Sequence, residues 1–264
     1  MKLQLTIPSL LLLQITFPSV LGLTDKNAEK RITGGSEIPI TQAPYQAALF
    51  VYGNFGGGGS ILNHNTILTA AHCVSGPAPA AFNVRVGSSS YLSGGTLLNV
   101  SSVTKHPAYN QPVVYENDIA VLTLAENLTF GEAVQPVNLP AQAPFPSAGE
   151  HVFISGWGDT KTSGMIQAQL RGVTVDVLNQ TECKSRYADY VIPITDGMFC
   201  NGVSGGGKGP CKGDSGGPVV SLGEGESVLA GIVSWGLGCG SEARPQVSTN
   251  VAYYRDWIRQ VAGV

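Results

Sequence analysis

The segment from Gly213 to Pro218, GDSGGP, places a serine hydroxyl on a turn rich in glycine. Glycine allows dihedral angles and close approaches that a side chain forbids, so backbone N–H groups can point at whatever the hydroxyl attacks. These residue types predict a serine nucleophile, Ser215, with an oxyanion-binding turn around it. A glycine-rich surface turn without any chemistry is the alternative interpretation.

Such a serine needs a histidine to accept its proton and a carboxylate to orient that histidine. The central G-x-S-x-G pattern also matches the nucleophile turn of α/β-hydrolases, in which the histidine follows the serine. All four histidines precede Ser215, which excludes that arrangement. A subtilisin order requires an aspartate before the histidine, and Asp25 alone precedes His72, in a segment expected to be removed. The order His, Asp, Ser remains.

Two residues fit the remaining roles best. His72 follows a strand-like segment and stands among small residues, in TAAHC. Asp118 enters the apolar run IAVL, and burying a carboxylate is costly unless it is paired, so a histidine partner would account for it. Taken singly, each has an ordinary alternative as a packed histidine or a turn-forming aspartate, and His64 and His106 fit that alternative better.

Five motifs occur in the order and approximate spacing of the chymotrypsin-like (trypsin-like, S1 family) serine proteases. They are TAAHC at 69–73, NDIA at 117–120, GWG at 156–158, GDSGGP at 213–218 and SWG at 234–236. The resemblance, which runs from Ile32 to the C-terminus, implies a general base at His72, an orienting carboxylate at Asp118 and a nucleophile at Ser215. It also implies an oxyanion hole formed by the N–H groups of Gly213 and Ser215.

The N-terminus has the pattern of a secretory signal peptide. Lys2 is followed by an apolar stretch with four consecutive leucines and then by the small residues Val20 and Gly22. A membrane anchor is the alternative, but glutamines and prolines interrupt the segment, and no other stretch is long enough to span a bilayer. We expect removal of residues 1–22 and a secreted, extracellular protein.

Residues 23–31 form a short polar peptide that ends in two basic residues and precedes ITGG. The resemblance implies that another protease cleaves after Arg31 and activates a zymogen. The freed α-amino group of Ile32 would then pair with Asp214, and the protease domain would span residues 32–264. A solvated linker with two charges is the alternative interpretation.

Secretion favours disulfides, and an odd number of cysteines leaves at least one unpaired in a monomer. The five cysteines are Cys73, Cys183, Cys200, Cys211 and Cys239. Many pairings are open from the sequence alone. The resemblance implies Cys183 with Cys200 and Cys211 with Cys239. It leaves Cys73 as a free thiol, because Gly57 occupies the position of its usual partner.

The resemblance also places the pocket for the residue before the scissile bond, P1. Its base is Gly209, and its walls include Ser234, Trp235, Gly236 and Gln246. Trypsin-like members carry an aspartate at the base, whereas Gly209 supplies no charge. Gly236 leaves the entrance open, but Gln246 stands where relatives usually have a small residue. A glutamine fills more volume, and its amide needs hydrogen bonds if it is buried. We expect uncharged P1 residues, medium to large, in a chymotrypsin-like or broad range.

Composition restricts the partners. A chain of 264 residues with 43% hydrophobic and 12% charged residues, and no basic patch, is typical of a globular protein that binds neither nucleic acid nor membrane. Expected partners are protein or peptide substrates, the activating protease and protein protease inhibitors; the protein is expected to be a monomer without a cofactor. A non-catalytic homologue that serves as a binding or regulatory module is the competing function.

Two further features concern metal ions and glycans. No Asp or Glu occurs between Glu37 and Glu116, the region where many relatives hold calcium, so no metal site is expected there. N-x-S/T sequons at Asn99, Asn127 and Asn179 are candidate glycosylation sites.

Short apolar runs between turn residues must position these side chains. They occur at 45–52, 67–68, 84–86, 96–100, 120–124, 152–155, 173–177 and 228–233. With 34 glycines and 16 prolines between them, they predict an all-β sandwich or barrel, and only the C-terminus shows helical spacing. The resemblance implies two six-stranded antiparallel β-barrels and a C-terminal helix. The active site would lie in the cleft between the barrels, with His72 and Asp118 in the first and Ser215 in the second.

Overall fold

The computed structural model describes residues 33–141, 145–160, 164–223 and 226–264. Its regular structure is mainly antiparallel β-strand and forms two closed six-stranded barrels, which confirms the predicted fold class. The predicted signal and activation segments, together with Ile32, lie outside the described residues.

The first barrel follows a two-residue strand, β1 (Ser36–Glu37). Its strands are β2 (Gln46–Val51), β3 (Asn54–Asn63), β4 (Thr66–Thr69), β5 (Phe82–Val86), β6 (Thr96–Lys105) and β7 (Ala120–Leu124). The order around the barrel is β2-β3-β4-β7-β6-β5, and β5 pairs with β2 to close it. The residue types of β5 alternate as a barrel wall requires, since Phe82, Val84 and Val86 are buried and Asn83 and Arg85 are partly exposed.

The second barrel also has six strands, and most of their residues are buried. Its strands are β8 (His151–Gly156), β9 (Arg171–Val177), β10 (Met198–Gly202), β11 (Pro218–Ser221), β12 (Val228–Trp235) and β13 (Gln246–Asn250). The order is β8-β9-β10-β13-β12-β11, with β11 paired to β8, and β1 adds to the outer edge of β9. Val173, Val175 and Val177 on β9 are all buried in its interior.

The described residues contain two α-helices, so the expectation of a helix at the C-terminus only was wrong. The unexpected one, α1 (Gln180–Arg186), begins after Asn179, whose side chain accepts a hydrogen bond from the N–H of Thr181 at 2.8 Å. Asn179 followed by Glu182 is the signal that sequence reasoning missed. The expected helix, α2 (Arg255–Ala262), buries Ile258 against the core.

A third cluster of buried side chains lies between the barrels. It includes Tyr45, Leu68, Trp157, Ile232, Val251 and Ile258. A buried hydrogen bond of 2.6 Å also joins the barrels, donated by Ser155 Oγ on β8 to Gln46 Oε1 on β2. The shared cluster and this hydrogen bond together hold the two walls of the cleft against each other. Within the described residues, no helix has the length and apolar character needed to cross a bilayer.

Candidate active site

His72 and Asp118 meet because their strands are neighbours. His72 lies in a 3₁₀ turn directly after β4, Asp118 lies two residues before β7, and Thr69 on β4 pairs with Ala120 on β7. The Nδ1 atom of His72 donates to Asp118 Oδ2 at 2.7 Å, and the backbone N–H of His72 donates to Oδ1 at 2.9 Å. The carboxylate therefore fixes both the position and the orientation of the imidazole ring.

The second barrel completes the surroundings of Asp118. This residue is fully buried, and Ser234 Oγ on β12 donates to its Oδ2 at 2.5 Å. Thr249 on β13 donates from its hydroxyl to the Asp118 carbonyl at 2.9 Å. A buried carboxylate is stable only with such donors. Ser234 was predicted as a pocket wall, and its hydrogen bond to Asp118 was not predicted.

The Nε2 atom of His72 contacts a thiol. Cys73 Sγ lies 3.4 Å from His72 Nε2. Within the described residues, no hydrogen bond joins Nε2 to Ser215 Oγ, although such contacts often tighten only when substrate binds. Burial of His72 disfavours its charged form, but the hydrogen bonds with Asp118 and Cys73 outweigh that effect and raise its pKa above the ordinary 6.5.

The turn that carries Ser215 lies against the first barrel. The Gly58 N–H on β3 donates to the Ser215 carbonyl at 2.8 Å, and a Cβ on Gly58 would lie only 2.8 Å from the Cα of Gly217. Gly216 has a φ of +78°, which an L side chain rarely adopts. The glycines on both sides of this contact allow the serine to approach the barrel that holds His72 and Asp118.

The predicted oxyanion donors are backbone groups of this same turn. In the part of the chain that the structure describes, the N–H groups of Gly213 and Ser215 donate no hydrogen bond. A disulfide between Cys211 and Cys239 ties the turn to the segment after β12. Both groups are therefore unengaged on a loop that is covalently held.

The other cysteines have the states that the resemblance implies. Cys183 on α1 is bonded to Cys200 on β10, and Cys73 is free and half-buried. Within the described ranges, no group of three or more His, Cys, Asp and Glu side chains is arranged to hold a metal ion. The sequon residues Asn99, Asn127 and Asn179 are all exposed.

Asp214 is a second buried carboxylate. It accepts hydrogen bonds of 2.8 Å from the N–H groups of Gly158 and Cys211, and burial raises its pKa to about 6. Its predicted partner, Ile32, lies outside the described residues, as does Arg31. The residue after Ile32, Thr33, is buried, and its carbonyl accepts a hydrogen bond of 3.1 Å from the Gly209 N–H.

A cavity of about 250 Å³ opens beside Ser215. Its lining residues are His72, Tyr115, Cys211, Lys212, Ser215, Ser234, Trp235, Gly236, Gly238 and Cys239. Of the five predicted pocket residues, Ser234, Trp235 and Gly236 line it. Gly209 and Gln246 do not, and both are buried.

Sequence reasoning missed Tyr115, which forms one wall of this cavity. Its ring stacks on Trp235 with centroids 5.9 Å apart and meets the His72 ring edge to face at 6.0 Å. Aromatic pairs in these arrangements add stability beyond the area they bury. The signal in the sequence was an aromatic residue three positions before Asp118.

Comparisons with known proteins agree with the geometry of this site. The family model described as Trypsin matches residues 32–258. Trypsin alpha of Drosophila melanogaster is 40% identical to this chain over 88% of each protein. Trypsin 5G1 of Aedes aegypti is 38% identical over 89% of this chain and 86% of its own length, and the vitellin-degrading protease of Bombyx mori is 37% identical over 91% and 90%.

Proposed function

This chain belongs to the trypsin family of serine proteases, and from that premise we propose that His72, Asp118 and Ser215 carry out its peptide-bond hydrolysis. Ser215 Oγ attacks the substrate carbonyl carbon while His72 Nε2 takes the hydroxyl proton. His72 then gives that proton to the leaving amine, and an acyl-enzyme remains. Water, deprotonated by His72, releases the acid, and Ser215 regains its proton.

The observation that carries this proposal is that the Asp118 carboxylate accepts hydrogen bonds from both His72 Nδ1, at 2.7 Å, and the His72 backbone N–H, at 2.9 Å. His72 and Ser215 also line the same cavity. The unengaged N–H groups of Gly213 and Ser215 suit a developing oxyanion, and each such donor contributes roughly 3 to 4 kcal/mol in comparable sites.

We further propose that the protein is secreted after removal of residues 1–22 and is activated by cleavage after Arg31. Asp214 supports the second step, because it is a buried carboxylate without an ion pair among the described residues. Thr33 beside Gly209 brings the start of the domain to the same barrel. Residues 32–264 are then the mature enzyme, a monomer that acts on proteins and is open to protein inhibitors.

An uncharged P1 residue is the preference that we propose for this site. Two of the three relatives compared above are named trypsins. The predicted pocket base of this chain is nevertheless Gly209, and the described residues that line the cavity include Lys212 and no carboxylate. A basic P1 side chain would therefore meet a positive charge and find no partner.

Labelling with a serine-directed fluorophosphonate tests the triad. We expect the protein cleaved after Arg31 to be labelled, Ser215→Ala to abolish labelling, and Ser204→Ala, at an exposed serine, to leave it intact. A cleaved, folded protein that stays unlabelled would contradict the proposal and support a non-catalytic binding module.

A further inference from the structure

We infer that Gln246 lies directly beneath Gly236, forms a floor under the residues that line the cavity beside Ser215, and restricts P1 to small side chains, alanine above all. The inference rests on the proposed function, because it assigns a substrate class to the same site. It departs from the sequence-based expectation of medium to large P1 residues.

The first observation concerns the space in front of Gly236, which lines the cavity. A Cβ on Gly236 would lie 2.2 Å from Gln246 Oε1 and 2.6 Å from both Cδ and Nε2. The carboxamide therefore occupies the volume that a glycine at this position would otherwise leave open. A larger P1 side chain needs that same volume.

The second observation is the reach of the side chain. Gln246 Cγ lies 3.6 Å from the position of a Cβ on Gly209, so the side chain extends from Gly209 to Gly236. The cavity beside Ser215 is lined by Gly236 but does not reach Gly209. Its depth is accordingly set by the carboxamide, and Gly209 is screened from the substrate.

The third observation is that this floor is held in place. Gln246 begins β13 in register with Asn201 of β10, it is only 6% exposed, and its Nε2 donates to the Gly238 carbonyl. An aromatic ring could enter only by displacing a buried, hydrogen-bonded amide, which leaves polar groups unpaired. A methyl group requires no displacement.

Peptide substrates that differ only at P1 test the inference on the activated enzyme. With Ala, Val, Leu, Phe and Arg at P1, we expect kcat/KM to be highest for Ala, at least 10-fold lower for Leu and at least 100-fold lower for Phe and Arg. A kcat/KM for Leu, Phe or Arg equal to or above that for Ala would overturn the inference.

Gln246→Ala identifies the residue responsible. Its Phe-to-Ala ratio of kcat/KM should rise at least 30-fold, because truncation opens the floor. Gln135→Ala, at an exposed glutamine, is the matched control and should keep the wild-type ratio. A ratio does not depend on the fraction of active enzyme, so an unchanged ratio in Gln246→Ala would contradict the assigned role.

A stability measurement tests the placement of the carboxamide without any substrate. Gly236→Ala puts a Cβ 2.2 Å from Gln246 Oε1, so it should lower the melting temperature more in the wild-type background than in Gln246→Ala. Equal decreases in both backgrounds would contradict the geometry. Fluorophosphonate labelling separates the two proposals: unlabelled enzyme overturns the proposed function, whereas labelled enzyme that prefers Phe overturns only this inference.

Discussion

At the scale of single residues, the Asp118 carboxylate is one charged group that accepts hydrogen bonds from both barrels. It binds His72 from the first barrel and the Ser234 hydroxyl from the second. A hydrogen bond to a charged group contributes about 1.5 to 3 kcal/mol, so each contact matters to both stability and geometry. The orientation of the imidazole thus depends on the correct packing of both halves.

Cys73 is a free thiol beside the proposed base. The resemblance gives its partner's position to Gly57, where an added Cβ would lie 3.4 Å from Cys73 Sγ and 2.5 Å from the Ser215 carbonyl oxygen. The thiol instead lies beside His72 Nε2, the atom that has to accept the serine proton. It is therefore a neighbour of the proposed base.

The pH profile tests that contact. Activity requires neutral His72, so kcat/KM should rise with pH, with a midpoint above 6.5 because the pKa of His72 is raised. Cys73→Ala removes one of the contacts that raise this pKa, and the midpoint should move to lower pH. Ser75→Ala, in the same loop, should leave it unchanged. Identical midpoints for the wild type and Cys73→Ala would show that the thiol does not act on His72.

Some of these residues could be predicted from sequence, and others could not. Asp118 was predictable because an acid entering an apolar strand needs a partner. Ser234 and Thr249 were not predictable as its donors, since their contacts depend on how β12 and β13 pack more than 110 residues away in the chain. The direction of the Gln246 side chain likewise depends on the packed pocket.

At the scale of elements, β3 is a glycine-rich strand that could not be predicted from its composition. Its run FGGGGS, from 55 to 60, was not predicted as a strand because glycine is depleted in strands. The structure gives a physical reason for glycine at position 58, since a Cβ there would lie 2.8 Å from Gly217 Cα in the turn that carries Ser215. Strands with alternating valines, such as β9, were predictable by contrast.

Gly58→Ala tests this close approach. The added Cβ would lie 2.8 Å from Gly217 Cα, so the turn must shift, and overpacking of this kind costs about 1 to 3 kcal/mol. We expect a lower free energy of unfolding and a kcat/KM reduced at least 10-fold. Gly131→Ala meets no atom within 4 Å and should match the wild type in denaturation and kinetics. Wild-type kinetics in Gly58→Ala would contradict a positioning role for β3.

At the scale of the whole molecule, the proposed activation links the N-terminus to the nucleophile turn through Asp214. Without cleavage, the carboxyl has a pKa of about 6 in the folded chain and an ordinary value of 3.8 when unfolded. Between pH 3.8 and about pH 6, the Asp214 carboxyl is mostly protonated in the folded state and mostly ionised in the unfolded state. The uncleaved protein therefore gains stability as pH falls from above 6 towards 4, by up to about 3 kcal/mol.

Arg31→Gln makes this measurable. The variant should remain inactive. Its free energy of unfolding in urea should increase as the pH is lowered from 7 to 4. The cleaved enzyme should not show this increase, because the Ile32 ammonium group would keep Asp214 ionised. Lys30→Gln, one residue away, should still be cleaved and active. Full activity of Arg31→Gln, or the same pH dependence in both forms, would contradict the mechanism.

The distribution of the two disulfides has a consequence for biosynthesis. Both join residues of the half of the chain that forms the second barrel, and Cys73 is the only cysteine that precedes Cys183 in the sequence. The strands that hold His72 and Asp118 leave the ribosome first, with no second thiol in that stretch to form a wrong bridge. The first barrel can thus fold before any disulfide forms. The half of the chain that carries Ser215 then forms its two disulfides while it packs against the folded first barrel.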